Sequence, residues 1–158
     1  MEEKRTVMHS KDAIAGSMAE CYVTINDRRY NFMTAIKFEA KFDKTKTKVP
    51  ILGKISKGNK ATGGEGSGTM TVHYNTSIFR ELLENYQNKG EDIYFDIEVS
   101  NEDPTSAAGR QTFLFQGCNI DGGILAKFDA SAEYLDEEIA FTFENFIMKK
   151  PFEELQGM

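Results

Sequence analysis

Residues 18–25 alternate, with Ala19, Cys21, Val23 and Ile25 on one side and Glu20, Tyr22 and Thr24 on the other. That period of two marks a half-buried strand. Asn26-Asp27 supplies a turn. Alternation resumes over 30–43 and is cleanest where Ile36, Phe38, Ala40 and Phe42 oppose Lys37, Glu39, Lys41 and Asp43. The pattern predicts a long strand with one wet face, and 45–52, carrying Thr, Val and Ile, reads as its continuation past a bend. From 53 to 68, six glycines in sixteen residues, together with Lys54, Lys57 and Lys60, predict a flexible loop that cannot bury enough to order itself. Residues 67–74 alternate again, with Met70, Val72 and Tyr74 against Thr69, Thr71 and His73.

One helix follows. Thr76 or Ser77 can cap it, and Ile78, Phe79, Leu82, Leu83 and Tyr86 recur on one face while Arg80, Glu81, Glu84 and Asn85 point elsewhere. Lys89-Gly90 ends it as a cationic last turn and a left-handed cap. Beyond it, Ile93, Phe95, Ile97 and Val99 alternate with Tyr94, Asp96, Glu98 and Ser100, and 101–109 is a polar loop. Residues 112–120 and 124–130 read as two strands joined through Asp121-Gly122-Gly123, a hairpin signal. A last strand over 138–148 alternates Ile139, Phe141 and Phe143. Strands on both sides of one helix, without βαβ alternation, predict a mainly β fold, an antiparallel β-sandwich or barrel with one flanking α-helix.

The 158 residues and 17.8 kDa suit one domain. The expected organisation is an N-terminal arm at 1–15, a β-domain over 16–152 with its glycine-rich loop at 53–68, and a tail at 153–158. No apolar run approaches the roughly 18 residues that cross a bilayer, and MEEKRTVMHSKD lacks a signal-peptide core, so a cytoplasmic protein with no membrane segment is expected. A net charge of −6 argues against sequence-independent nucleic-acid binding. The total hides an asymmetry. Residues 1–80 hold 14 Lys and Arg against 8 Asp and Glu, a balance of +6, whereas 81–158 hold 5 against 17, a balance of −12. Opposite charges of this kind steer copies of one chain together.

Catalytic chemistry finds no foothold. The glycine-rich stretch ends in Thr69 and a strand, where a phosphate loop needs Lys and Ser or Thr leading into a helix. His9 and His73 stand apart from any nucleophile or metal-ligand spacing, and Asp136-Glu137-Glu138 cannot converge, because successive strand residues face opposite ways. Cys21 and Cys118, 97 residues apart, form no CxxC pair. No enzyme, metal site or cofactor is expected. A small-ligand-binding β-barrel of lipocalin type is the alternative, since twelve phenylalanines could line an apolar cavity.

Two stretches carry a resemblance. ILGKISKGNKATGGEGSGTMTVHYNTSIFRELLENYQNKGEDIYFDIEV and DASAEYLDEEIAFTFENFIM resemble the XkdM-like phage tail tube proteins, and the likeness runs in order from about residue 16 to residue 152. Family members begin close to the first strand, so the arm at 1–15 departs from their pattern.

The resemblance implies a structural subunit without catalytic residues. Its copies would form hexameric rings, stacked into the rigid inner tube of a contractile phage tail or phage tail-like bacteriocin, a hollow conduit driven through the target envelope on sheath contraction. It implies as partners the tail sheath protein, baseplate and tail terminator proteins, a tape-measure protein in the lumen during assembly, and DNA in transit only in a full phage. It also implies assembly in the bacterial cytoplasm before release as a tail particle.

Placed on that plan, the 53–68 loop orders between rings. There Lys54, Lys57 and Lys60 meet Asp136, Glu137 and Glu138, or Glu102 and Asp103. The strands 36–42 and 67–74 line the lumen with Lys37, Glu39, Lys41, Thr69, Thr71 and His73, and turn Phe38, Phe42, Met70, Val72 and Tyr74 to the core.

Overall fold

A computed structural model describes residues 7–158. Its elements are β1 (Ala19–Ile25), β2 (Arg28–Asn31), β3 (Ala35–Val49), β4 (Gly58–His73), α1 (Ile78–Lys89), β5 (Phe95–Glu102), β6 (Arg110–Ile120), β7 (Asp136–Phe143) and β8 (Asn145–Lys150), preceded by a 3-10 turn at Ser10–Asp12. The fold is mainly β and antiparallel, with one α-helix, as the periodicities predict. The chain divides into two compact units.

The first unit comprises residues up to 33, 95–116 and 146–158. Its strand order is β2-β1-β5-β6, and β8 also pairs with β6. Ile25 pairs with Arg28 across Asn26 and Asp27, whose φ values of 50° and 65° are those a tight hairpin turn demands. Alternation in β1 and β5 buries Cys21, Val23, Ile25, Phe95 and Ile97. The sequence reading of one strand over 30–43 is corrected here. It breaks after Asn31, where Phe32 turns inward and donates its N–H to the Cys21 carbonyl at 2.8 Å. Within 7–15 the arm is tied down: Ala15 N–H donates to Asp103 Oδ2 at 3.0 Å, Ser106 Oγ to the Asp12 carbonyl at 2.8 Å, and Ala107 N–H to Asp12 Oδ1 at 2.9 Å. The part of the arm at 1–6 lies outside the described residues.

The second unit comprises 34–94 and 117–145. Its strand order is β6-β7-β4-β3. Helix α1 has the predicted limits, ending at Gly90 in the left-handed conformation (φ 70°), which glycine adopts without penalty. The last strand, read over 138–148, is two, because β7 ends at Phe143 and β8 begins at Asn145. Two further sequence readings fail in this unit. The glycine-rich stretch is no sixteen-residue loop, because β4 begins at Gly58 and pairs with β3 from Val49↔Gly58 to Ala35↔Val72. The other failure is at 124–130, which is not a strand, so Asp121-Gly122-Gly123 closes no hairpin. Irregular chain fills 121–135, where the Lys127 and Ser131 amides meet the side chains of Tyr74 and Asp129.

The reason for the first failure is a stripe of missing Cβ atoms. Gly64, Gly66 and Gly68 recur every second residue and so share one sheet face. A Cβ at Gly64 would strike the Phe42 ring, one at Gly66 the Phe143 ring, and one at Gly68 would lie 2.6 Å from both the Phe141 ring and the Glu39 carbonyl oxygen. Glycine serves here as the seat for aromatic rings from the neighbouring strands, a packing device that offsets its poor strand propensity.

Candidate assembly surfaces

The β3–β4 hairpin has two halves. From 35 to 42 and from 66 to 73 it lies beside β7, which pairs with β4 from His73↔Asp136 to Gly66↔Phe143. One face of this three-stranded part is buried. Met70, Val72, Ile139, Phe141 and Phe143 line it, and Phe38 stacks on Phe141 with ring centroids 5.6 Å apart. Phe42, expected in the core, is instead 49% exposed, because it sits where β7 ends.

The opposite face is polar. Lys37 faces Thr71, Glu39 faces Thr69 and Lys41 faces Ser67, while on the other flank Asp136, Glu138 and Ala140 pair with His73, Thr71 and Thr69. All six residues predicted to line a lumen therefore share one continuous sheet face. Asp136 and Glu138, predicted for ring stacking, join them there. A shallow depression of about 290 Å³ opens among Glu39, Lys41, Ser67, Thr69 and Asp121. Open and polar-rimmed, it is not the enclosed apolar chamber of a lipocalin-type barrel. Beside Lys37, Glu39 and Lys41, β3 ends the described strand order, so its outer edge presents backbone groups.

Beyond 43 and 65 the hairpin continues as two strands alone. The seven positions 43–49 extend it by roughly 20 Å at about 3.3 Å per residue. Every residue of 43–49 is exposed, and so is every residue of 59–65. Lys44, Lys46, Lys48, Lys54, Lys57 and Lys60 stud this arm, and no carboxylate occurs between 44 and 64. Lys54 and Lys57 lie in the tip at 50–57, while Lys60 stands on β4 opposite Thr47. Leu52 and Ile55 at the tip are fully exposed.

The predicted acidic partners divide. Glu137 is buried, at 4% side-chain exposure, and its carboxylate meets Arg80 of α1 at 2.6 Å. Arg80 also donates to the Thr76 and Ile124 carbonyls and lies over the Tyr74 ring, 4.4 Å from its centroid. Asp103 is buried as well. Its carboxyl is held below the usual aspartate range by the Ala15 amide, then by the Thr105 hydroxyl and amide. Both carboxylates are consumed inside the chain and drop out of the predicted stacking set. Glu102 is exposed and shares Arg110 with Glu20, at 3.1 and 3.2 Å. Asp136 has Lys127 Nζ 3.8 Å away, and Glu138 is exposed.

Sequence reasoning missed Arg80, taken for an outward helix residue. The signal lay in β7: Glu137 is in phase with Ile139, Phe141 and Phe143, and a lone charge on a core face demands a partner. Among the described residues no cluster of three His, Cys, Asp or Glu could hold a metal ion, and no helix is long and apolar enough to cross a membrane. Burial pushes the Cys21 thiol up to about 12, and Cys118 is fully buried.

An antiparallel β fold with one helix, a polar sheet face and a projecting basic hairpin define a structural tube subunit, and the chain belongs to the phage tail tube protein family, whose profile matches residues 6–149. Members of that family are structural proteins, not enzymes. The chain is 38% identical over 109 residues to the phage-like element PBSX protein XkdM of Bacillus subtilis strain 168, covering 69% of this chain and 74% of that one. Its fold is similar to that of a chain in the anti-feeding prophage baseplate, solved with 6-fold symmetrisation (TM-score 0.61, 10% identity, 93% of this chain and 97% of that one). It is also similar to a chain of an extracellular contractile injection system, PVC, in its extended sheath–tube complex (TM-score 0.61, 15% identity, 89% and 93%).

Proposed function

We propose that six copies of this chain join sideways into a ring and that rings stack into the inner tube of a contractile tail, with the polar face of β3, β4 and β7 toward the channel. The observation that carries this reading is the β3–β4 arm, a two-stranded, lysine-rich projection exposed on both faces. A lone hairpin of this kind is marginal in water, and its extra length contributes nothing to the buried core of its own chain. Its use is outside the chain, on an acidic surface of another copy, a heterologous contact that propagates into a filament.

The face itself suits a conduit. Lys37, Glu39, Lys41, Thr69, Thr71, His73 and Glu138 mix both charge signs with hydroxyls, so nothing on it grips a polyanion in transit. The 6-fold symmetrised assembly and the sheath–tube complex of the fold neighbours support a hexamer carrying a sheath. Baseplate and terminator proteins at the ends, a tape-measure protein or DNA in the lumen, and cytoplasmic assembly before release follow from the same reading. The structure modifies one part of the mechanism: β4 is paired within its own chain from Gly58, so only the tip at 50–57 is left to order between rings.

Reversing Lys54, Lys57 and Lys60 to glutamate tests the reading. By negative-stain microscopy the wild type should give tubes, and the variant should give none while its thermal melting is unchanged. Tubes of normal length from the variant would remove the arm from assembly, and featureless wild-type monomers at high concentration with seeds would remove the function.

A further inference from the structure

We infer that the arm tip docks on the 121–135 segment of a second copy of this chain, with Leu52 and Ile55 set against Leu125 and Phe128. This rests on the tube reading and names the two surfaces that meet in it. Topology within the second unit supplies the geometry. The arm leaves one end of the β3–β4 ladder, whereas at the other end Tyr74 N–H donates to the Leu135 carbonyl at 3.0 Å, just before β7 starts at Asp136. Donor and acceptor surfaces thus lie at opposite ends of the same strands, the head-to-tail arrangement that builds open filaments.

Charge and apolar exposure match across the pair. The arm has six lysines and no acid between 44 and 64, whereas 121–138, leaving out Glu137 that Arg80 consumes, carries Asp121, Asp129, Glu133, Asp136 and Glu138 against Lys127 alone. Within this acidic frame Phe128 is 92% exposed and Leu125 69%. Their exposure is not slack, because the backbone beneath them is anchored. Lys127 N–H donates to Tyr74 Oη at 3.1 Å, Lys127 Nζ to the Asp136 carbonyl at 2.8 Å, and the Ser131 amide and hydroxyl to Asp129 Oδ1 at 3.0 and 2.7 Å. A fixed strap that holds aromatic and aliphatic side chains outward loses little entropy on docking. An aromatic anchor rimmed by charge is the make-up of a binding hot spot, and the rim charges orient the incoming lysines.

The test pairs Leu52→Cys with Phe128→Cys, in a background whose own Cys21 and Cys118 are buried. Assembled tubes treated with a short bis-maleimide should give a ladder of linked subunits on a denaturing gel. As a control pair, Leu52→Cys alone and Phe128→Cys alone should give none. Phe128→Ser and Leu125→Ser should each slow seeded elongation at least about tenfold, as hot-spot truncation does, without lowering the melting temperature. Tubes that form without the ladder, or equally with the control pair, or that elongate at the wild-type rate in both serine variants, overturn the docking and leave the tube reading standing. A Phe128→Cys subunit that links to an added sheath protein and not to a second subunit assigns the strap to the sheath and overturns the docking too. Wild-type protein that never forms tubes overturns both.

Discussion

The inner and outer halves of the β3–β4 hairpin share one ladder and nothing else. In the inner half a third strand, β7, covers the flank of β4, and half of the side chains are set against Met70, Val72, Ile139 and Phe141. The outer half has two strands, no buried residue from 43 to 49 or 59 to 65, and six lysines counting its tip. Inside, each residue is constrained by volume. Outside, residues are constrained by what will meet them, and their substitution should leave the monomer nearly unchanged. The contrast separates positions that make the fold from positions that make the assembly.

The largest effect that can break this contrast is at the root. Glu137→Ala leaves Arg80, whose side chain is only 17% exposed, without its carboxylate, and should cost roughly 3 kcal/mol in a denaturant melt. A loss below about 0.5 kcal/mol, the scale of an exposed pair, would show that Arg80 reaches water instead. Next comes a sign reversal between two glycines of one strand. Gly68→Ala puts a Cβ 2.6 Å from the Glu39 carbonyl oxygen, a backbone atom that cannot swing aside, and should cost about 2 kcal/mol. Gly63→Ala, in the outer half, meets nothing within 4 Å. It should instead stabilise by about 0.5 kcal/mol through loss of unfolded-state freedom. Equal effects would mean that the outer half is packed too.

The smallest effect concerns acid. The Asp103 carboxyl is held low by the Ala15 amide and by Thr105, so its stabilisation is complete above the ordinary aspartate range near pH 4 and is lost as pH falls through the lowered folded value. Amide exchange at Ala15 and Thr105 should therefore quicken as pH falls below the ordinary aspartate range near 4, beyond the change in intrinsic chemistry. Asp103→Asn should flatten that response. The outer hairpin, with no carboxylate between 44 and 64, should show none.

Most elements were legible because their causes are local. The Asn26-Asp27 turn, α1 with its Gly90 cap and the alternation of β1, β5 and β7 each follow from neighbours in sequence. The readings that failed had distant causes. Gly64, Gly66 and Gly68 look like loop residues until Phe42, Phe141 and Phe143 are seen to need their missing side chains, and no short window holds both partners. For 121–135, a hairpin signal was present, but Arg80 and Tyr74 capture its backbone from 44 and 53 residues away, and the Asp136 carbonyl accepts from the Lys127 side chain. Residues of the candidate site followed the same rule. The polar face of Lys37, Glu39, Lys41, Thr69, Thr71 and His73 came straight from period two. Asp103 and Glu137, chosen for their charge, turned out to be spent on Ala15, Thr105 and Arg80.

What the amino-acid order alone determined is the class of molecule: antiparallel strands, one helix, a basic first half against an acidic second, and no catalytic constellation. These depend on periodicity and on sums, which need no partner in space. Only tertiary structure decided which charges remain available outside the chain and which glycines are packing seats, because both depend on residues that folding brings together from far apart in the chain.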